Sequence, residues 1–330
     1  MRRLYEEWNP DPSSLAVVEQ ANTIIEDYEA QGYDLTLRQL YYQFVARDLI
    51  PNNMRSYKRL GSLLDRGRKA GLVDWSAIVD RTRNLESLAH WSSPANALLA
   101  IAEQYREDLW EDQPTRVEVW VEKEALAGVV ERAADAFDCA WFSCRGYVSQ
   151  SEMWEAGRRF GRYFAAGQNV VVLHLGDHDP SGIDMTRDIR DRIGNFVETD
   201  WLYEQMTETS AYPSAIREAI QAHLGTSANP LTINRIALNM DQVEQYDPPP
   251  NPAKVTDSRS GPYIAQYGDE SWELDALDPA TLASLITEHI EALVDPDLYA
   301  QAVHDVEDRR AQLVDLSDRY DSVVDFLDEG

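Results

Sequence analysis

An apolar run, Val170-Val171-Val172-Leu173-His174-Leu175, stops at Gly176-Asp177-His178-Asp179-Pro180-Ser181-Gly182, so two carboxylates at alternate positions follow directly on a strand-like segment. In extended backbone, side chains two apart point the same way. Upstream, Val117-Glu118-Val119-Trp120-Val121 ends in Glu122-Lys123-Glu124, which puts another acid at the end of a second such run. Ligand sites of open α/β sheets lie beyond these strand ends. Converging carboxylates repel one another and raise one another's pKa unless a cation neutralises them. An all-oxygen cluster, with no His or Cys at ligand spacing, favours Mg²⁺ completed by water and substrate phosphate. Glu122, Asp177 and Asp179 are therefore the expected metal ligands. The plainer alternative has Asp179-Pro180-Ser181-Gly182 capping a helix and Glu122 starting one in solvent. Finding both motifs at strand ends favours the metal.

The elements that must hold these acids follow from hydrophobic periodicity. Strand patterns at 116–121, 139–144 and 169–175 alternate with helical patterns at 124–137, 149–165 and 180–193. That alternation predicts a parallel sheet with right-handed helical crossovers. Before it, helices are expected from Pro12 to about Ala30, over 34–49 and over 55–70, then a short apolar stretch at 75–79 and a helix over 94–110. Three short helices followed by an apolar stretch suit a winged-helix unit. The chain thus divides into a helical DNA-binding domain, 1–112, and an α/β domain, 113–330. Beyond the sheet, 195–230 reads as an insertion, 232–238 and 272–277 as strands around a proline-rich loop, and 279–293 and 296–326 as closing helices.

In the second helix Leu37, Leu40, Tyr41, Phe44 and Val45 share a core face, while Arg38, Gln39, Tyr42 and Gln43 share the other. Arg38 and Tyr42 are four apart, so guanidinium and phenol can meet on the surface. Tyrosine's ordinary pKa is about 10, and a neighbouring cation favours the phenolate. Attack on a phosphodiester would leave a phosphotyrosine link that preserves the bond energy for religation. From periodicity alone, Tyr42 is an ordinary surface tyrosine. The third helix carries Arg55, Lys58, Arg59, Arg66, Arg68 and Lys69 against the single acid Asp65. Arg55, Arg59, Ser62, Arg66 and Lys69 form one stripe, with Leu60, Leu63, Leu64 and Gly67 facing inward. In a chain of net charge −28 such a helix reads as phosphate-contacting.

Val121-Glu122-Lys123-Glu124-Ala125, Arg145-Gly146-Tyr147 and Gly176-Asp177-His178-Asp179-Pro180-Ser181-Gly182-Ile183 resemble the Toprim domain of topoisomerase VI A subunits and the related meiotic double-strand-break protein. Arg38-Gln39-Leu40-Tyr41-Tyr42 is similar to the Arg-x-x-Tyr-Tyr motif of the same family. The resemblance implies a winged helix followed by a Rossmann-like Toprim sheet. It implies Mg²⁺ on Glu122, Asp177 and Asp179 beside the scissile phosphate, with Tyr42 as nucleophile and Arg38 assisting. It also implies a homodimer on double-stranded DNA, the tyrosine of one protomer working with the metal of the other. No Gly-x-x-x-x-Gly-Lys-Ser/Thr phosphate loop is present, so ATP-driven strand passage would need a separate ATPase subunit. Two other readings stand beside this one: a Toprim nuclease in which the metal site activates water and Tyr42 is a bystander, and a DNA-binding protein without catalysis.

The acids spread along the chain, as expected of a solubility device in a salt-rich or GC-rich host. The lysines are Lys58, Lys69, Lys123 and Lys254. The cysteines, Cys139 and Cys144, lack zinc-ligand spacing, and the first residues lack a signal peptide's apolar run, so a reducing cytoplasm is expected. No apolar run approaches the roughly eighteen residues of a membrane span. Glu273 and Asp275 alternate on the strand expected at 272–277, as outer acids of the site or a solvated edge. Lys254, Asp257 and Arg259 place a weaker candidate phosphate contact in the proline-rich loop, and Arg81 and Arg83 after Trp75 are expected in the wing. His174 is expected buried in its strand and His178 turned from the metal, and the acid-rich final helices read as a solvated or dimerising element.

Overall fold

The computed structural model describes residues 1–79, 88–205, 230–253 and 257–329. Its centre is a parallel sheet of four strands in the order β2-β1-β3-β4: β1 (Thr115–Val121), β2 (Ala140–Ser143), β3 (Asn169–Leu175) and β4 (Leu231–Ala237). Val117, Val119 and Val121 point to one face, where Ala127–Asp135 and Pro279–Glu291 pack. Trp120, Val170 and Val172 point to the other, under Gln150–Ala165 and Pro180–Gln205. Both faces are covered, which explains why these strands read as near-continuous apolar runs. The expected mixed α/β class and the parallel sheet are present.

The chain passes from β1 to β2 on one side and returns to β3 on the other. The β1 and β3 ends therefore flank the point where the strand order reverses, the crevice in which open α/β sheets bind ligands. Glu122 and Asp177 sit there. Register puts Val121 beside Leu175, and the Glu122 N–H donates to the Leu175 carbonyl at 2.8 Å.

Ahead of the sheet lie α1 (Pro12–Ala30), α2 (Leu37–Ala46) and α3 (Met54–Lys69), close to their expected spans. Asp11, Thr36 and Asn53 cap them, each side chain accepting from the N–H groups of the first turn. Their shared core is built on Tyr28, Leu35, Leu40, Phe44, Leu60 and Leu64. The stretch 75–79 forms no strand; Ile78 makes a lone bridge to Leu35. Arg81 and Arg83 lie outside the described residues, as do Lys254 and 206–229 of the expected insertion. The helix at Pro94–Gln104 packs chiefly on the C-terminal helix Pro296–Asp318, where the Ser317 hydroxyl donates to the Ala95 carbonyl at 2.8 Å. That ties the end of the expected first domain to the end of the chain. The last helix is broken at Arg319, so Tyr320–Glu329 is separate. No helix among the described residues is long and apolar enough to cross a membrane.

The strand expected at 272–277 does not form. Trp272 bridges His178, and Leu274–Ala276 is a turn of 3-10 helix. The reason is its surroundings: its backbone serves the loop after β3 rather than a neighbouring strand, with Leu274 N–H donating to Asp177 Oδ1 at 2.8 Å.

Gly182 fixes how closely Pro180–Gln205 approaches that loop. A Cβ at Gly182 would lie 2.2 Å from the Asp177 carbonyl oxygen, inside any tolerable contact with backbone. Gly182→Ala should therefore destabilise the protein by about 1–3 kcal/mol, the usual cost of overpacking. Urea unfolding measures this, and unchanged stability would show that the loop yields freely.

Candidate functional site

At the β3 end, Asp177 Oδ1 receives two donors, the Leu274 N–H at 2.8 Å and the Lys123 ammonium at 2.8 Å. Lys123 Nζ also lies 2.6 Å from Glu273 Oε2 and 2.9 Å from Asp275 Oδ1. One ammonium is thus surrounded by three carboxylates, each offering one oxygen that lies within 4.8 Å of the others. Arg38 reaches the same acids from α2, pairing with Glu273 and placing Nε 2.9 Å from Asp275 Oδ2.

The acids that the structure brings closest together are Asp177, Glu273 and Asp275, with Glu122 beside them under the charges of both Asp177 and Asp179. Glu122 stays beside Asp177, but its Oε2 accepts the Asp177 backbone N–H at 2.9 Å, while the Asp177 carboxylate turns away to Lys123 and Leu274. Asp179 Oδ1 accepts the Gly182 N–H at 2.7 Å, so its carboxylate caps the following helix. Glu124 pairs with Arg145, and Tyr147 donates to Asp184 Oδ2 at 2.7 Å, under Arg259 at 4.9 Å from its ring. Asp257 accepts from the Ser181 hydroxyl at 2.7 Å. His174 is buried against Thr186, and His178 bonds Tyr263, away from the cluster, as expected.

Sequence reasoning missed Arg235 entirely. From β4 it sends Nη2 to the carbonyls of Gly176 and Asp177, at 2.8 and 2.6 Å, and Nη1 to that of Gly182 at 2.9 Å. Burial pulls its pKa down to about 10, which leaves it charged at neutral pH. It clamps the acidic loop by its backbone and adds positive charge beneath it.

Burial raises the pKa of Glu122 well above the carboxylate range, and the Asp177 charge raises it further. Asp177 is also raised by burial, against the pull of Lys123. Glu273 is held low despite its burial, because Lys123 and Arg38 both bear on it. The same acids overcome burial and raise Lys123, keeping its ammonium charged.

The donor set suits a hard divalent cation. It is all oxygen, and Asp275, only 1 % exposed, keeps an Oδ2 with no hydrogen-bond partner because Arg38 lies off the line of a bond. A depression of about 310 Å³, lined by Arg38, Glu122, Lys123, Arg145 and Asp275, opens the cluster to solvent. The Lys123 ammonium occupies the point among these oxygens that an ion would take.

Tyr42 lies against the cluster of its own chain. It is 4 % exposed, with the Arg38 guanidinium 5.8 Å from its ring. Burial, then the charges of Asp275 and Glu273, raise its phenol above the ordinary value, outweighing Arg38. The expected surface meeting of Arg38 and Tyr42 is corrected: Gln39, Tyr42 and Gln43 are buried because α2 is covered by the Leu274–Ala276 turn. Gln39 is used locally, its Oε1 accepting the Thr36 N–H at 2.8 Å in a capping box. On α3, Arg55, Lys58, Arg59 and Arg66 are exposed, and Arg66 covers the Trp8 ring at 4.6 Å. Arg68 leaves this set, its guanidinium turning inward to the Ile78 carbonyl, and Lys69 pairs with Asp65 at 3.3 Å.

No known family model matches the chain, and no curated protein is similar to it in sequence.

Two outcomes follow from the charges. Lys123→Gln removes the competing ammonium and should tighten Mg²⁺ or Mn²⁺ binding by about tenfold, read by titration calorimetry. Weaker binding would make Lys123 a helper of the ion rather than its rival. A raised native pKa at Glu122 means the folded state keeps a proton that the unfolded chain releases. Its contribution to stability is full below the ordinary glutamate range and is lost as pH rises toward the native value. With divalent ions chelated, Glu122→Gln should therefore stabilise by about 2 kcal/mol near pH 7 and hardly at all near pH 4. Thermal melting across pH tests the sign, and a variant less stable at pH 7 would contradict it.

Proposed function

We propose that the protein is a divalent-metal-dependent DNA-cleaving enzyme of the topoisomerase VI A and meiotic double-strand-break kind, with Tyr42 as its nucleophile. One observation carries this: Arg38, from a helix near the start of the chain, pairs with Glu273 and Asp275 from near its end, the charges of those two acids bear on Tyr42 of the same helix, and Lys123 joins them to Asp177 at the sheet. A structural tyrosine has no need of such company. The three N-terminal helices then stand as the DNA-binding unit and the sheet as a Toprim domain, with Arg55, Lys58, Arg59 and Arg66 holding phosphates.

In this reading Asp177, Glu273 and Asp275 hold the ion, Mg²⁺ by the nature of the donors, with Glu122 in reserve beside Asp177. When bound, the ion neutralises the charge of the phosphate being cleaved. Arg38, bordering both the cluster and Tyr42, orients the phosphodiester. The Tyr42 oxygen attacks phosphorus and the bond to one deoxyribose oxygen breaks, leaving a phosphotyrosine. The phenol proton is released to water and the departing deoxyribose oxygen takes one up in exchange, so that a free sugar hydroxyl and a phosphotyrosine diester remain. Because Tyr42 and the cluster share a chain, a second copy serves the second strand of a double-strand break. A separate ATPase subunit would be needed only for strand passage.

The burial of Tyr42 favours one rival: a nuclease in which the cluster activates water and the phenol stays in place. Trapping DNA under denaturing conditions with Mg²⁺ separates the two. Tyrosine chemistry gives a covalent protein–DNA adduct that falls below detection in Tyr42→Phe and in Asp177→Asn. Cleavage that persists in Tyr42→Phe but fails in Asp177→Asn establishes the nuclease. DNA binding with neither cleavage nor adduct leaves a non-catalytic binding protein.

A further inference from the structure

The start of α3 and the short strand Asn251–Pro252 enclose a cavity of about 220 Å³ beside Tyr42. It shares Arg38 and Glu273 with the acid cluster, and the rest of its lining combines Tyr42 and Tyr57 with the amides of Asn52 and Asn251. Tyr41 braces the two aromatic walls, its ring centroid 5.3 Å from each and turned 63° to Tyr42 and 83° to Tyr57.

The amides are oriented by a chain of hydrogen bonds. The Tyr41 hydroxyl donates to Asn52 Oδ1 at 3.0 Å, and Asn52 Nδ2 donates to Asn251 Oδ1 at 2.8 Å. Asn251 therefore has its oxygen engaged, leaving the amide nitrogen as a donor. That Nδ2 is buried and has no hydrogen-bond partner. A buried donor in a protein is normally satisfied, and this one is open to an acceptor from outside the chain, whether water or a ligand atom.

The matching ligand is flat, aromatic on its faces and rich in acceptors on its edge. A nucleobase has that chemistry, and proteins that take single bases from nucleic acid stack them on aromatic side chains and read their edges. The setting suits a base still attached to its strand. Arg55, Lys58 and Arg59 are exposed on the same turns of α3 as Tyr57, where they can hold backbone phosphates outside. Arg38 lines both this cavity and the depression over the acid cluster, so a strand with its base in one has its phosphate at the border of the other.

We propose that the cavity receives a single unstacked base of the DNA strand, stacked on Tyr57 and accepting from Asn251 Nδ2, while the adjoining phosphodiester lies at Tyr42. This rests on the nucleic-acid reading above and adds a contact to the base that the cleavage chemistry does not require. Sites where neighbouring bases part easily, such as pyrimidine–purine steps, would be preferred.

The test uses the full chain with divalent ions chelated, and duplex oligonucleotides carrying a stacking-quenched fluorescent purine at successive positions. Bound wild-type protein should raise the fluorescence at one position. Asn251→Asp keeps the shape but exchanges the donor for an acceptor, and Tyr57→Leu removes the ring. Each should abolish the rise and weaken binding by about tenfold, whereas Tyr57→Phe should retain both. Matching melting curves identify variants that remain folded, and Tyr57→Phe controls for the position itself. DNA bound without a fluorescence rise at any position overturns the base pocket and leaves the cleavage proposal standing. A rise that survives both Asn251→Asp and Tyr57→Leu also overturns the pocket. Wild-type protein that binds no DNA overturns both.

Discussion

An ammonium group among three carboxylates is the contact on which the rest of this structure turns. Asp177, Glu273 and Asp275 come from two distant stretches of chain, and in a partly buried setting their mutual repulsion would drive them apart. Lys123, one residue beyond Glu122, offsets that repulsion. Arg38 adds a second positive charge and carries the N-terminal helices with it. Packing follows the same seam, with Ala276 joining the core of those helices and Tyr28 bonding Asp278. The position of Tyr42 is thus set as much by charge as by apolar contact.

The acids are steered by main chain as well as by cations. Asp177 gives its N–H to Glu122 and takes the N–H of Leu274, while Arg235 gathers the carbonyls on either side. Main-chain donors and acceptors hold fixed directions, so the two acids at the strand ends sit in defined orientations rather than as a loose acidic patch. His178, next to Asp177 in sequence, faces the opposite way and anchors the loop to Tyr263 and Trp272.

Much of this was legible from residue patterns. The strands were, because burial on both faces leaves almost uninterrupted apolar runs, and β3 matched its expected span. Glu122 and Asp177 were placed at the strand ends by the same patterns. Glu273 and Asp275 were only half legible. Their alternation was visible, but it suggested a strand edge, since nothing local reveals that Leu274 donates to a residue far upstream. Arg235 was hidden because an arginine inside an apolar strand gives no sign of binding carbonyls. Tyr42 was misplaced for a related reason: helical periodicity separates core from non-core faces, but cannot tell solvent from another part of the chain. The two amides of the cavity, Asn52 and Asn251, gave no signal at all, because each reads singly as a turn residue.

The Leu274–Ala276 turn has a bearing on how such a protein could change over generations. It touches the sheet through Leu274 and Lys123, and the helices through Arg38 and Ala276. A recombination joining these N-terminal helices to a different sheet would bring Arg38 and Tyr42 without the acids they lean on. The unit that can be inherited intact is accordingly scattered along the chain, and its boundaries do not coincide with those of its folded layers.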